Sequence, residues 1–318
     1  MRDDYLEEYY SFLRFPSVST DDEYKEKLVE CARWLVQKLT SIGLETQLVP
    51  TRGHPIVWAR NKHQPGRRTV LIYGHYDVQP PDPLELWDSP PFEPVLKDGY
   101  VFARGATDNK GQILSHILGI QETIEQNGDL PVNLHLVIEG EEEIGSAHLG
   151  GFLQENRDAL KSDVAVVSDT GMIERGVPTL SYGLRGVTAL EIKVTGPKMD
   201  LHSGIFGGAV QNPITALAQL LATLHDREGR VAIAGFYDRV KSLEKWEREA
   251  FTRDPALIRE GGSIPIVSQF RSILGVETLL LGLALPDCRA HSPNENFPLE
   301  NFEGGIRLNK AILQELAR

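Results

Sequence analysis

A short apolar run over residues 69–73 is followed directly by a histidine and an aspartate, His75 and Asp77. The run has the length and composition of a buried β-strand. Because side chains alternate along a strand, residues two apart lie on one face, and His75 and Asp77 are predicted to be neighbours. A carboxylate beside an imidazole is the arrangement that orients a metal-bound histidine. A structural histidine at a strand end is the alternative interpretation.

Further acidic and histidine side chains recur along the chain, most of them after strand-like runs. They are Asp108, the acidic run 139–143, Asp169 and His291. In an open α/β sheet, ligands bind beyond the carboxyl ends of the strands, so these side chains are expected to meet at one edge of the sheet. Taken singly, Asp108 also fits a helix cap, and the acidic run also fits a solvated turn.

These residues together provide two imidazoles and several carboxylates from separate parts of the chain. Nitrogen and oxygen ligands of this kind suit zinc, manganese or cobalt. Clustered carboxylates repel one another unless a cation neutralises them. The set is large enough for two divalent ions that share a bridging carboxylate, with a further carboxylate left as general base.

The order of predicted elements indicates an α/β fold, with a mixed sheet and helices on both faces. This pattern is predicted to be built from residues 1–178 and 255–318, with a smaller α+β domain inserted at 179–254. Predicted strands lie at 45–49, 56–60, 69–73, 132–138, 164–167, 179–182, 187–194 and 278–283, with a further short segment at 230–234. Predicted helices lie at 21–42, 110–127, 213–224, 264–274 and 299–316, and a hairpin lies at 94–104.

Composition narrows the choice of partners and location. The net charge of -12 argues against nucleic acid and anionic membranes as partners. The first residues are charged and lack the apolar core of a signal peptide, and no apolar stretch reaches membrane-spanning length. The two cysteines, Cys31 and Cys288, do not form a disulfide framework. These features predict a cytoplasmic protein.

Five motifs, taken in order, resemble those of the M20 metallopeptidases, and most nearly those of the carnosinase-like dipeptidases. They read Gly-His-Tyr-Asp-Val-Gln, Arg-Gly-Ala-Thr-Asp-Asn-Lys-Gly, Glu-Gly-Glu-Glu-Glu-Ile-Gly-Ser, Asp-Leu-His-Ser-Gly and Ala-His-Ser-Pro-Asn-Glu. Succinyl-diaminopimelate desuccinylases and acetylornithine deacetylases are more distant relatives of the same pattern. The resemblance implies a zinc-peptidase-like fold with an inserted lid domain.

The resemblance also implies a set of ligands for two divalent ions, zinc before manganese or cobalt. His75 and Asp169 would bind one ion, and His291 and Glu143 would bind the other. Asp108 would bridge the two ions, and the peptide bond that follows Asp108 is expected to be cis.

The other implied roles concern catalysis and substrate binding. Asp77 would orient the metal-binding imidazole, and Glu142 would be the general base. His202 would reach across a dimer interface to stabilise the tetrahedral oxyanion, although a loop histidine before a helix is commonly structural. The contacts to the carboxylate end of the substrate would be Arg259, Gly262 and Ser263.

The inserted segment departs from the family pattern because it has room for only about half of the usual lid. The part that is missing normally supplies an arginine that binds the substrate carboxylate, and Arg253 is a weak replacement. The expected function is hydrolysis of the amide bond of dipeptides or related small peptides, by a homodimer that pairs through the lid. The alternatives are an N-acyl amino acid deacylase or desuccinylase, and a metal-binding homologue with little or no activity.

Overall fold

The computed structural model describes residues 2–186, 188–250, 255–260 and 264–318. These residues form two compact units, one made of Met1–Arg185 with Glu249–Arg318 and one made of Gly186–Arg248. The predicted substrate contacts Gly262 and Ser263 lie outside the described residues, as does Arg253.

The first unit contains an eight-stranded mixed sheet with the order β1-β2-β6-β3-β7-β10-β8-β9, and a three-stranded sheet with the order β11-β5-β4. The strands are β1 Glu45–Val49, β2 Ile56–Arg60, β3 Thr69–His75, β4 Val95–Lys97, β5 Tyr100–Phe102, β6 Asn133–Glu139, β7 Val164–Gly171, β8 Thr179–Leu184, β9 Ala256–Glu260, β10 Thr278–Ala284 and β11 Asn296–Pro298. At the centre of the large sheet, β3 runs parallel to both β6 and β7, and β7 runs parallel to β10.

Helices of the first unit cover both faces of the large sheet, and they are α1 Asp3–Leu13, α2 Lys25–Ser41, α3 Lys110–Asn127, α4 Leu149–Glu155, α8 Pro265–Gln269 and α9 Leu299–Glu315. The second unit contains α5 Ser203–Phe206 and α6 Pro213–Ala222, and α7 Lys245–Ala250 spans the boundary between the units. Along β3, Val70 and Ile72 join the apolar core that includes residues of α1, α2, α3 and α9. Leu71 and Tyr73 point the other way, into a second core with residues of α4 and α8. A sheet that is buried on both faces explains why β3 is an uninterrupted apolar run.

Most predicted elements are confirmed, with small shifts at their ends. The hairpin forms between β4 and β5, and its turn residues Asp98 and Gly99 have φ values of 52° and 82°. Two adjacent left-handed residues are what the tight hairpin turn requires. The predicted helix at 264–274 begins as α8 and continues as a π-helical segment, Phe270–Leu274. The helix α1 has no counterpart among the predicted elements.

The inserted segment differs from the prediction at its start. Strand β8 belongs to the large sheet, where it pairs antiparallel to β10 and parallel to β9, so the sheet unit extends to Arg185. The strand predicted at 187–194 is wrong for its described residues, 188–194, which have no strand pairing. Strand β8 has two partners in the sheet, whereas residues 188–194 are mostly exposed, so that water satisfies their backbone groups.

Within its described residues, the unit Gly186–Arg248 contains helical segments and one isolated bridge between His225 and Val231, and no strand. Many of its apolar side chains are exposed, including Met199, Ile205 and Ile214. Among all described residues of the chain, no helix is both long enough and apolar enough to span a membrane.

Candidate metal centre

The predicted site residues of the first unit meet at the carboxyl edge of the parallel strands. His75 is the last residue of β3, and Asp169 lies near the end of the neighbouring strand β7. Glu142 and Glu143 lie in a short 3-10 turn that follows the end of β6. Asp108 precedes α3, and its peptide bond to the next residue is cis, as the resemblance implies. This is the edge at which α/β sheets bind ligands.

One set of side chains, the inner ligand group, consists of His75, Asp108 and Asp169. The Nε2 atom of His75 lies 3.2 Å from Oδ1 of Asp108 and 3.9 Å from Oδ2 of Asp169. One ligand atom from each of the three residues lies within 4.8 Å of the others, which is close enough for them to surround a single ion.

A second set, the outer ligand group, consists of Asp108, Glu143 and His291. The Nε2 atom of His291 lies 2.9 Å from Oδ2 of Asp108 and 3.2 Å from Oε2 of Glu143. Their ligand atoms also fall within 4.8 Å of one another. Since Asp108 directs one oxygen to each histidine, its carboxylate belongs to both groups.

Two buried atoms in these groups support the fit to metal ions. His75 Nε2 and Glu143 Oε1 are buried, and neither makes a hydrogen bond with any described residue. Leaving buried polar atoms without a partner is costly, so such atoms at a cluster of ligands indicate a missing partner. Imidazole nitrogens and carboxylate oxygens are suitable ligands for zinc, manganese or cobalt. The residues present therefore fit two divalent cations.

Asp77 connects the inner ligand group to the acidic turn. Its Oδ1 atom lies 3.4 Å from Nδ1 of His75, and its backbone oxygen lies 3.1 Å from the same nitrogen. The two carboxylate oxygens of Asp77 also accept hydrogen bonds from the backbone N–H groups of Glu142 and Glu143, at 3.2 and 3.1 Å. Asp77 therefore contacts both the His75 imidazole and the backbone of the acidic turn.

The electrostatics of the centre reflect burial of many ionisable groups together. Burial raises the pKa of Glu142 to about 8, against the opposing attraction of His75. Hydrogen bonds to Asp108 and Glu143 raise the pKa of His291 to about 10. Burial raises the pKa of Asp169, and the charge of Asp108 adds to that effect. Carboxylates that resist ionisation when alone are stabilised as anions by a bound cation.

A cavity of about 450 Å³ opens beside the two ligand groups. Asp108 and Asp169 form part of its wall, together with apolar residues such as Ile258 and Leu285. Glu260 also lines the cavity, where its carboxylate accepts hydrogen bonds from Ser181 Oγ at 2.9 Å and the backbone N–H of Gly171 at 3.1 Å. The cavity therefore offers a carboxylate on a mainly apolar wall close to the ligand groups.

Residues 71–315 match the family described as Peptidase family M20/M25/M40. The chain belongs to this family. It is 36% identical over 259 residues to the Cys-Gly metallodipeptidase dug1 of Schizosaccharomyces pombe, an alignment that covers 77% of this chain and 54% of that protein. It is 37% identical over 195 residues to the human Beta-Ala-His dipeptidase, covering 61% of this chain and 38% of that protein. The chain thus spans about half the length of its similar curated relatives, or less.

Solved structures of this family share the fold. The dipeptidase Dug1p of Saccharomyces cerevisiae aligns with a TM-score of 0.86 at 24% identity, covering 99% of this chain and 96% of that chain. Human carnosine dipeptidase 1 aligns with a TM-score of 0.84 at 23% identity, covering 99% and 97%. The predicted family and the predicted α/β fold class are therefore confirmed.

Two further residues of the M20 resemblance, Arg259 and His202, make contacts outside the two ligand groups. Arg259 lies on β9 with its guanidinium carbon 5.7 Å from the centre of the Tyr182 ring, whereas its neighbours Ile258 and Glu260 line the cavity. Alternation along the strand accounts for this difference. His202 belongs to the unit Gly186–Arg248, where its Nδ1 accepts a hydrogen bond from the backbone N–H of Gly204 and caps α5. That contact is the structural role left open for this histidine.

The structure adds polar partners of the ligands that the sequence does not single out. Asn109 donates its side-chain N–H to Oδ1 of Asp169 at 2.9 Å, and Gln79 donates to Oε2 of Glu143 at 2.9 Å. The carboxylate of Glu141 instead accepts hydrogen bonds from the backbone N–H groups of His54 and His148 and lies 2.8 Å from Nδ1 of His148. Asn109 and Gln79 each lie within one of the five sequence motifs, and this position is the sequence feature that could have identified them.

Proposed function

We propose that this chain is a di-metal-dependent hydrolase that cleaves the amide bond of dipeptides or related small peptides. The observation that carries the proposal is the position of Asp108, whose two carboxylate oxygens reach the histidines of both ligand groups. The peptide substrate is supported by the similarity to a Cys-Gly metallodipeptidase and a Beta-Ala-His dipeptidase. We propose zinc as the ion at both positions, with manganese or cobalt as the alternatives.

Two bound divalent ions would supply an activated water and polarise the scissile carbonyl. The chain itself supplies the base. Glu142 precedes the proposed ligand Glu143 in the same turn, and its backbone N–H donates to Asp77 at 3.2 Å. Its buried carboxyl is protonated below a pH of about 8 when no cation is present, and neighbouring positive charge favours the ionised form.

In the ionised form, Glu142 accepts the proton of the attacking water and passes it to the leaving amine. Asp77 assists by holding the backbone of the turn, so that the base stays in place while its neighbour serves as a ligand. These two roles of adjacent glutamates agree with the roles implied by the family motif. His202 stays a proposed contact to the oxyanion from a partner subunit.

The cavity supports a small substrate with a free amino group. Its apolar wall suits a side chain, and the carboxylate of Glu260 suits a cationic ammonium group. The acyl group of an N-acetyl or N-succinyl amino acid carries no ammonium group, whereas the residue on the acyl side of a dipeptide bond does. This difference separates the dipeptidase proposal from the deacylase alternative.

We further propose a homodimer that pairs through the inserted unit. The number of exposed apolar side chains in this unit supports the proposal, because exposed apolar surface is commonly found at interfaces. The cytoplasmic location and the absence of nucleic-acid and membrane partners stay predictions from composition.

The test of the proposal is turnover of a dipeptide panel and an N-acyl amino acid panel, with zinc, manganese or cobalt added. We expect metal-dependent cleavage of dipeptides, and a loss of about 10²–10⁴-fold in kcat for Glu142→Gln. The matched control is Glu141→Gln, the same change at the preceding residue, for which we expect a much smaller loss. Metal binding without cleavage of either panel would favour the inactive metal-binding homologue, and cleavage of N-acyl amino acids alone would favour the deacylase.

A further inference from the structure

Glu295 is a fully buried carboxylate in the same loop as His291, and none of the proposed chemical steps uses it. Its Oε1 atom accepts hydrogen bonds from the backbone N–H groups of Thr107 and Asp108, at 2.9 and 3.0 Å. One side chain therefore holds the backbone of the residue that belongs to both ligand groups.

The second oxygen of Glu295 fixes the preceding part of the same segment. Its Oε2 atom accepts hydrogen bonds from the backbone N–H of Gly105 at 2.9 Å and from Nη1 of Arg104 at 2.8 Å. The guanidinium of Arg104 is itself buried and also donates to the backbone oxygen of Pro80 at 3.1 Å. The carboxylate thus has four donors and an opposite charge, which is the condition under which a charge is stable in a protein interior.

These contacts continue the pairing of two short strands. Strands β5 and β11 pair up to Phe102 and Asn296, and the next bond runs from the backbone N–H of Ala103 to the backbone oxygen of Glu295. Beyond that point the chain turns at Gly105, whose φ is 84°. Backbone N–H groups in this turn have no strand partner, and the carboxylate of Glu295 accepts their hydrogen bonds instead.

We propose that Glu295 is a positioning residue that sets the bridging geometry of Asp108, by holding residues 104–108 against the loop that carries His291. The inference rests on the proposed di-metal function. Asp108 has to present one oxygen at 3.2 Å from His75 and the other at 2.9 Å from His291. Glu295 belongs to the His291 loop, and its carboxylate bonds to the backbone of Asp108. It therefore holds Asp108 at a fixed position relative to His291, so that both distances are kept.

The competing explanation is that Glu295 and Arg104 form a buried ion pair that only stabilises the fold. The two explanations differ in what the change Glu295→Gln does to metal binding. Glutamine keeps one acceptor oxygen, but its NH₂ group would face N–H donors where the carboxylate now accepts. If Glu295 positions Asp108, ion affinity falls more than the loss of stability accounts for.

The test is calorimetric titration of the metal-free protein with Co²⁺, with visible absorption of the bound cobalt as a second readout. We expect two ions to bind the wild type, and at least about tenfold weaker binding by Glu295→Gln with an altered cobalt spectrum, as is typical when a partner that orients a ligand is lost. The matched control is Glu8→Gln, the same change in a part-buried ion pair, since Glu8 lies 2.6 Å from Nζ of Lys38 and belongs to neither ligand group.

Thermal melting of the metal-free variants completes the design. We expect both variants to melt at a lower temperature than the wild type, and only Glu295→Gln to lose cobalt affinity. Wild-type affinity and spectrum in a destabilised Glu295→Gln protein would overturn the inference. If that variant does not fold, Glu295→Asp keeps the charge with a shorter reach, and unchanged cobalt binding there would also overturn it. A wild type that binds no Co²⁺ would instead contradict the proposed function.

Discussion

The inner and outer ligand groups have the same composition but very different surroundings. Each has one histidine and one carboxylate of its own, and both share Asp108. The side chain of His75 is 0% exposed, whereas that of His291 is 54% exposed. The inner residues lie on strands β3 and β7, whereas His291 lies in a loop with a left-handed backbone φ of 59°.

This contrast indicates different tasks for two ions with similar ligands. Ligands on paired strands are already in position before an ion binds, so less conformational entropy is lost on binding. A non-glycine residue at positive φ has an unfavourable backbone, and its solvent-exposed side chain has more freedom to lose. We therefore expect the inner group to bind its ion more tightly, and the outer group to exchange its ion more readily.

The largest effect is expected where the two groups meet. Asp108→Ala removes a ligand from both, and we expect both ions to be lost under conditions in which the wild type is saturated. Loss of metal-ion catalysis is expected to lower kcat/KM by about 10³-fold or more. Metal content after dialysis and turnover are the measurements. Asp129→Ala is the control, since that carboxylate bonds to Arg67 and belongs to neither group. One ion retained at wild-type affinity would show that the groups are independent.

The next effect separates the two groups directly. In His291→Ala we expect one ion to remain tightly bound at the inner group. In His75→Ala we expect the affinities for both ions to fall. The reason is that the buried carboxylates of Asp108 and Asp169 then lose the imidazole of His75, which is their partner in the metal-free protein and a ligand in the metal-bound one. The measurement is cobalt stoichiometry by calorimetry for the two variants side by side. The opposite pattern, with tighter residual binding in His75→Ala, would reverse the assignment of inner and outer affinities.

A pH dependence follows from the raised pKa of His291. A metal ion binds the neutral imidazole, so binding below a pH of about 10 releases a proton, and affinity at the outer group is expected to fall about tenfold for each pH unit of acidification. Proton release is measured from the dependence of the binding enthalpy on buffer. His291→Asn should remove that proton, and unchanged proton release in this variant would contradict the assignment.

The stability of the metal-free protein depends on pH in the opposite direction from its metal affinity, because protonated His291 stabilises the folded state. The folded pKa of His291 lies above its ordinary value of 6.5, so the folded state binds the proton more strongly than the unfolded state. Its contribution to stability is complete below pH 6.5 and is lost as the pH rises through about 10. Metal-free wild type is therefore expected to lose its advantage over His291→Asn across this range, as thermal melting at several pH values would show.

The contrast between strand and loop also explains what the sequence predicts well. The apolar runs give the central strands, and the rule that ligands bind at the carboxyl ends of parallel strands brings together His75 and Asp169. The left-handed turn of the hairpin follows from Asp98 and Gly99. Such features depend on short stretches of chain, and for that reason they can be recognised in one sequence. The family resemblance adds the pairing of ligands across the loops.

Features that depend on distant pairing were not predictable in the same way. Strand β8 joins the large sheet because its partners are β9 and β10, far along the chain, whereas residues 188–194 have similar composition and no partner. Propensity for β structure depends on such context. Likewise, Glu295 gains its contacts only when residues distant in sequence fold against it.

The smallest expected effects concern the two side-chain amides that contact the ligands. Asn109 bonds to Asp169 in the inner group, and Gln79 bonds to Glu143 in the outer group. Removing a residue that orients a ligand commonly costs about 10–100-fold in metal affinity. We expect Asn109→Ala to weaken the tighter ion and Gln79→Ala to weaken the other, each near the lower end of that range.

The two alanine variants serve as controls for each other, since each removes one amide from the centre. Asn109 also donates to the backbone oxygen of Ser168 at 2.7 Å, so its loss is expected to lower the melting temperature more than the loss of Gln79. Stepwise cobalt titration distinguishes which binding step has moved. If both variants weakened the same step, the ions would be coupled so strongly through Asp108 that separate inner and outer affinities have no meaning. If each moved its own step, the difference between strand-borne and loop-borne ligands would extend to the residues that hold them.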